Sequence, residues 1–315
     1  MNWQHLLDDL HEELRPRLGE GKVASYIPAL ADADPKAFAV VAADLDGRIY
    51  GTGCVDHPFS AQSITKVFML ALALEAVDSA LWKRVGREPS GSAFNSIVQL
   101  EREQGIPRNP FINAGALVVT DTVISACGSG DALENLLALL RKISGSKRVR
   151  IDSAVAASER DWGHRNAGLA HFMKSFGVID NRVEDVLETY FCQCALEVTP
   201  TELARAGLFL ANEGVDPVSK ERITQTPRAR RIAAMMMTCG HYDMSGDFAF
   251  RVGLPGKSGV GGGILCIIPG WGSIVAFSPP LNTSGNSLAG TRALELFAAR
   301  AGLNVFGDRP SGKGN

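Results

Sequence analysis

Strand signals sit near the two ends of this sequence, and the stretch from about residue 80 to 225 between them reads mainly as helix. Ala37 to Ala43 is apolar and partly β-branched, Asp44-Leu45-Asp46-Gly47 is a turn, and Arg48 to Gly53 continues the chain: a β-hairpin. A second hairpin is expected from Ile264 to Ile268, turned by Pro269-Gly270-Trp271-Gly272 into Ser273 to Ser278. Few folds satisfy that order. The two termini must meet in one sheet, the helices must form an inserted lobe, and the cleft between the lobes is the natural binding site.

The helical signals are specific. Leu6, Leu7, Leu10 and Leu14 recur at helical spacing among Asp8, Asp9, Glu12 and Glu13. That acidic, amphipathic start does not resemble a secretory signal, which needs a basic beginning and an apolar core. Further helices are predicted over 116–126, 131–143, 151–160, 166–175, 183–194 and 200–212, and a terminal one over 286–301. Thr199-Pro200-Thr201-Glu202 carries an N-terminal signature, with Thr199 as cap and Glu202 three residues on. The expected layout is one domain over 1–307, with an α/β lobe at about 1–65 and 226–307 and a helical lobe at about 66–225. A Gly-, Pro- and Ser-containing tail, 308–315, is expected to be disordered.

Net charge is −2 over 315 residues, which gives no electrostatic footprint for nucleic acid or an acidic membrane. No apolar run approaches the roughly 20 residues that span a bilayer. Six cysteines form no paired CxxC, and without an export signal they are expected to be reduced thiols in the cytoplasm. Cys192-Gln193-Cys194 has no accompanying histidine cluster and reads as structural, so no metal is expected.

The chemistry is expected in Ser63-Ile64-Thr65-Lys66. Behind it runs Val67 to Leu74, apolar all round and free of Pro and Gly, which predicts a buried helix. Residues i and i+3 share a helix face, so the Lys66 amine can reach the Ser63 hydroxyl. A desolvated lysine can serve as the base that makes a serine nucleophilic. The pattern alone is weak, since about one chance copy is expected in a chain of this composition. A second copy, Ser144-Gly145-Ser146-Lys147, has no apolar helix after it and reads as a solvated loop.

Further along stands Lys257-Ser258-Gly259-Val260-Gly261-Gly262-Gly263, just before the second strand pair. Its glycines permit close backbone approach and N–H groups aimed at an oxyanion; the plainer reading is a flexible turn. Paired with Ser63 and Lys66, it suggests a serine acyl-transfer site.

The order Ser-x-x-Lys, helical lobe, Lys-Ser-Gly before an edge strand resembles the serine β-lactamase and penicillin-binding-protein fold, an α/β (α+β) architecture. The finer text is similar to the serine-dependent glutaminase family. The matching pieces run from Gly21 to about residue 290: Gly21-Lys22-Val23-Ala24-Ser25-Tyr26-Ile27-Pro28, Gln62 to Phe68, Asn109 to Ala116, Ser158-Glu159, Arg165-Asn166, Thr189-Tyr190-Phe191, Cys239-Gly240-His241-Tyr242-Asp243, Gly256 to Gly263 and Gly285-Asn286-Ser287. His241 departs from the pattern, which has an apolar residue there.

The resemblance implies hydrolysis of L-glutamine to L-glutamate and ammonia, without a cofactor. Ser63 is then the nucleophile and Lys66 its base. Tyr242 relays a proton, with Tyr26 as second candidate, and Lys66 and Lys257 are expected to lower the tyrosine's ordinary pKa near 10. The N–H groups of Ser63 and Val260 form the oxyanion hole, with Lys257 and Gly259 in support. Glu159 matches the acid for the substrate ammonium, and Asn113, Asn166 and Tyr190 match the donors to its other polar groups. Taken alone, Glu159 reads as a solvated helix residue, Asn113 as a cap, and Tyr242 admits a surface position. Family members are usually homodimers or homotetramers. A β-lactamase or peptidase-like hydrolase is the first alternative, but the chain lacks a Ser-Asp-Asn or Tyr-x-Asn box; a non-catalytic glutamine sensor is the second, but the chain keeps both Ser63 and Lys66.

Overall fold

The computed structural model describes residues 1–91 and 96–307, so the tail at 308–315 lies outside the described residues. The first helix, α1 (Trp3–Leu14), buries Leu7, Leu10 and Leu14, and its N-cap Asn2 accepts a hydrogen bond from the backbone of His5. Strands β1 (Ala39–Asp44) and β2 (Ile49–Gly53) form the first hairpin. A two-residue strand, β3 (Phe59–Ser60), then leads through a 3₁₀ turn at Gln62–Ile64 into α2 (Thr65–Val77). Nine residues of α2 are buried, which is why its sequence shows no polar face.

The helices that follow are α3 (Ile97–Arg102), α4 (Asn113–Cys127), α5 (Ser129–Ser144), α6 (Ser153–Trp162), α7 (His164–Ser175), α8 (Val183–Cys194) and α9 (Pro200–Ala211). Thr199 and Glu202 close a reciprocal capping box at the start of α9. Ser144 does not sit in a solvated loop as expected: it is buried and ends α5, and the chain leaves the helix at Gly145 in the left-handed region. Strands β4 (Arg150–Ile151) and β5 (Leu196–Val198) join β3 in a small sheet of order β3-β5-β4. Two further helices come after residue 225, α10 (Thr226–Cys239) and α11 (Ser245–Arg251).

The main sheet has the order β2-β1-β8-β7-β6, all antiparallel, where β6 is Gly256–Ser258, β7 Gly263–Ile268 and β8 Gly272–Phe277. Lys257 and Ser258 therefore stand on the edge strand itself, paired with Leu265 and Ile264, rather than in a turn before the strands. Strands β1, β7 and β8 are buried along their whole length. One face packs on α1, α11 and the last helix, α12 (Leu288–Ala301), through Leu7, Val40, Ile274 and Phe297. The other face meets α9, although α9 falls within the range expected for the helical lobe. A Cβ at Gly207 would stand 2.9 Å from Leu265 and Ser273 side-chain atoms, so α9 approaches the sheet closely where it has no side chain. Helix α2 runs between the sheet and α4, and carries the Ser63 turn at the junction of both lobes.

Candidate active site

Two tethers hold the Ser63 turn. Gln62 has φ +50° and is buried, a left-handed conformation that a non-glycine residue keeps only where its surroundings impose it. Its amide nitrogen donates to Ser60 Oγ at 3.0 Å, and Ser60 Oγ donates to the Cys194 carbonyl at 2.9 Å. Gln62 also hydrogen-bonds Glu159. On the helix side, Thr65 Oγ1 donates to the Gln62 carbonyl at 2.8 Å. Ser63 thus enters α2 at a fixed angle, 8% exposed.

Lys66 is 1% exposed. Its Nζ donates to Asn113 Oδ1 at 2.8 Å and to the Phe111 carbonyl at 3.2 Å, and lies 5.7 Å from the centre of the Tyr190 ring. Burial lowers its pKa to about 8, against the opposing pull of Cys194 and Glu159. The acceptors are themselves oriented. Asn109 Oδ1 accepts the backbone N–H groups of Phe111 and Ile112, both at 3.0 Å, and Asn113 Nδ2 donates to Asn166 Oδ1 at 2.9 Å. Asn113 is the first residue of α4 and Ile112 its cap, so the asparagine works through its side chain across the cleft. Gly115 lets the helix close on this loop, because a Cβ there would lie 1.8 Å from the Asn109 carbonyl oxygen.

The hydroxyl that hydrogen-bonds Ser63 belongs to Tyr242, which also bonds the Ser258 side chain. Tyr242 is 5% exposed and has φ +59°, in a 3₁₀ turn after α10. Burial raises its pKa to about 12, outweighing the hydrogen bonds that favour the phenolate; the expected lowering by two lysines is not what the site does. Lys257 is fully buried beneath it, with Nζ 4.5 Å from the Tyr242 ring centre. Its amine donates to the Gly240 carbonyl at 3.0 Å and the Ser258 carbonyl at 2.6 Å, and burial holds its pKa well below the usual lysine range, with Lys66 adding to the effect. Gly259 brings the edge strand against the Ser63 turn: a Cβ there would sit 2.5 Å from the Ala61 carbonyl oxygen.

A cavity of about 80 Å³ opens over Ser63, walled by Gln62, Asn113, Glu159, Asn166, Tyr190 and Tyr242. Tyr26, half exposed, stands at its rim and also lines a wider groove of about 740 Å³. Val260 lines that outer groove rather than the cavity. Glu159, on α6, is 4% exposed instead of solvated, and desolvation lifts its pKa to about 7 against the favourable contacts with Gln62 and Lys66. Tyr190 is buried and its pKa lies well above the usual tyrosine range for the same reason. Gln62, Cys194, Trp162 and Arg165 also line the cavity and were not picked out as site residues from the sequence. A pocket of about 150 Å³ elsewhere, between Leu14, Met244 and Leu288, contains none of these residues. Among the described residues, no group of three or more His, Cys, Asp or Glu is placed to hold a metal ion. No single described helix is long and apolar enough to cross a membrane.

A sheet built from both termini, with a buried Ser-x-x-Lys helix between it and the helical lobe, defines a protein of the serine β-lactamase-like, penicillin-binding-protein-like fold. Residues 21–306 match the family model described as Glutaminase. A glutaminase of Rhizobium rhizogenes is 57% identical over 97% of this chain and 99% of its own length, and one of Agrobacterium fabrum is 55% identical over 96% and 98%. Among solved structures, the probable glutaminase ybaS aligns at a TM-score of 0.92 with 37% identity, covering 96% of this chain and 98% of its own. Mglu in its glutamate form aligns at 0.91 with 36% identity over 97% of this chain and 70% of its own. This chain belongs to the glutaminase family.

Proposed function

We propose that this chain hydrolyses the side-chain amide of L-glutamine to L-glutamate and ammonia, with Ser63 as nucleophile. The observation that carries the reading is the composition of one small cavity. A hydroxyl bonded to a buried tyrosine faces a buried carboxylate and two asparagine amides, as a zwitterion with a terminal amide requires. Glu159 pairs with the substrate ammonium; Asn113, Asn166 and Tyr190 serve its carboxylate and amide.

The hydrogen bonds of Lys66 support its role as base. A neutral amine has two hydrogens and one lone pair, and Asn113 Oδ1 and the Phe111 carbonyl accept both hydrogens. The lone pair is left for the Ser63 proton. Ser63 Oγ then bonds to the amide carbon, and the oxyanion is received by the N–H groups of Ser63 and Val260. With a pKa of about 12, Tyr242 stays a phenol at neutral pH and suits proton relay rather than abstraction. It passes a proton to the departing nitrogen and is reprotonated from the Lys66 ammonium, so the proton first taken from Ser63 replaces the one that leaves with the ammonia. The C–N bond breaks, ammonia leaves, and Ser63 holds a glutamyl ester. Water cleaves the ester with the same groups acting in reverse. Tyr26, at the rim, is the weaker candidate for this relay.

The single catalytic domain spans residues 1–307. The family resemblance supports a homodimer or homotetramer, which native mass spectrometry tests; the unpaired cysteines support a cytoplasmic location, which fractionation of cell extracts tests. Purified protein incubated with glutamine, asparagine and a chromogenic β-lactam should release ammonia from glutamine without opening the lactam ring. Ring opening with no ammonia from glutamine overturns the assignment.

A further inference from the structure

His241 stands between two residues the site depends on. Before it, the Gly240 carbonyl accepts hydrogen bonds from Lys257 Nζ, from the Ser258 backbone N–H at 3.2 Å and from Ser258 Oγ at 3.3 Å. After it comes Tyr242, in its left-handed conformation. The imidazole itself points away from the substrate cavity, and is 1% exposed. It lies flat on Phe248 of α11, with ring centres 3.5 Å apart and planes 14° from parallel. The edges of both stacked rings meet the edge strand at Gly256, where an added Cβ would come within 2.6 Å of His241 Nε2, 2.9 Å of Phe248 Cε1 and 3.0 Å of Cys266 Sγ. The ring therefore fills a slot between α11 and β6, and only glycine at 256 leaves the slot open.

This slot is built for an uncharged ring. The Asn286 side chain is the polar group that meets the ring, and its hydrogen bond is the one contact favouring a protonated imidazole; burial and the Lys257 charge outweigh it. Asn286 Nδ2 is taken up by the His241 carbonyl at 3.4 Å. The titratable groups that face the ring are Lys257 from β6 and the Cys266 thiol from β7; α11 contributes Phe248 and Ser245, whose Oγ accepts the His241 backbone N–H at 3.0 Å. Asp243 and Asp247 on the same segment are exposed. No acid on this list compensates a second ring proton. Burial and the Lys257 charge both oppose it, and the His241 pKa lies well below the usual histidine range.

We propose that His241 is a positioning residue for Tyr242, a flat wedge stacked on Phe248 with its edge against Gly256 that fixes the strained turn and does so only while uncharged. The proposal rests on the reading that Tyr242 serves Ser63. By clamping the turn, the wedge sets where the tyrosine hydroxyl meets the Ser63 and Ser258 side chains. It also ties the fold to pH. As pH falls below about 6.5, the unfolded chain binds a proton at this histidine and the folded chain does not, so folding stability is lost on the acid side.

Three variants test this. His241→Ala empties the slot, and kcat should fall about tenfold or more while KM and glutamate affinity by calorimetry stay within about twofold. His241→Phe keeps a flat ring without a titrating group and should restore kcat to within about threefold of the unmodified chain. In urea unfolding at pH 7.5 and 5.5, the unmodified chain should lose more of its midpoint than His241→Phe. Normal kcat in His241→Ala, loss of glutamate affinity with it, failure of Phe to rescue, or equal midpoint losses each overturns the proposal. Tyr242→Phe separates the two readings. If it turns over normally, the role of Tyr242 fails and this inference with it; if it is inactive while His241→Ala is normal, only this inference fails.

Discussion

The chain writes one four-residue pattern twice, at Ser63 to Lys66 and at Ser144 to Lys147, and the two copies end in different surroundings. In the first, a 3₁₀ turn through the serine runs straight into the helix that carries the lysine, so both side chains are drawn into the junction between sheet and helical lobe. In the second, the helix ends at the serine, Gly145 turns the chain in the left-handed region at φ +69°, and Lys147 is left exposed. The first lysine loses water and gains two fixed acceptors; the second keeps its water. Spacing brings two side chains within reach, but what makes one of them a base is desolvation, which the motif does not encode.

Substitutions at matched positions can break that contrast. The largest effect should come from Ser63→Ala, which should cut ammonia release by at least about a thousandfold while glutamate binding persists; Ser144→Ala should leave turnover unchanged. Ammonia release with normal kcat in Ser63→Ala would remove the nucleophile from the account. Lys66→Met should lower kcat by about a hundredfold or more, whereas Lys147→Met should not change it. Its effect on stability has the opposite sign. Lys66 has a folded pKa of about 8 against an ordinary 10.5, so the unfolded chain binds more protons between those values and the folded state is penalised by ~3 kcal/mol below pH 8. Removing that charge should raise the urea midpoint at pH 7, and a midpoint that falls would show the lysine to be a structural stabiliser.

Glu159→Gln should raise KM by about ten- to a hundredfold with a smaller change in kcat, because the substrate ammonium loses its buried partner. An unchanged KM takes Glu159 out of substrate recognition. The pH profile gives the smallest effect near its plateau. With Lys66 required neutral and Glu159 required ionised, kcat/KM should climb with pH through about 7 and about 8 and level off above. In Glu159→Gln the lower of the two transitions should disappear, leaving the one near 8. A profile with its plateau below pH 6 contradicts both assignments.

Much of this molecule is legible in its sequence. Both hairpins of the main sheet, the buried helix behind Ser63 and the capped start of α9 follow from alternation, turn residues and local caps, which are short-range properties of the chain. The elements that escaped are those whose stability is borrowed. Strands β3, β4 and β5 have two or three residues each and exist because the Ser63 turn must be anchored to the end of α8. In α10 the buried Ala229, Ile232, Met235, Met236 and Cys239 recur at helical spacing, but Arg228, Arg230 and Arg231 dilute the signal.

The sequence by itself determined the order of the main hairpins and most helices, the sheet made from both termini and the inventory of the site, since Ser63, Lys66, Glu159, Tyr190 and Tyr242 are recognisable as residue types in matching segments. Only the tertiary structure decided their states. It buried Glu159 and shifted it toward neutral pH, aimed Lys66 at Asn113 and Phe111, lifted Tyr242 out of the titrating range, placed Val260 on the outer groove, and brought Gln62 in as the link between nucleophile and acid. The reason is that these are properties of the dielectric and the partners around a group, set by residues from distant parts of the chain, whereas element order is set by neighbours a few residues away.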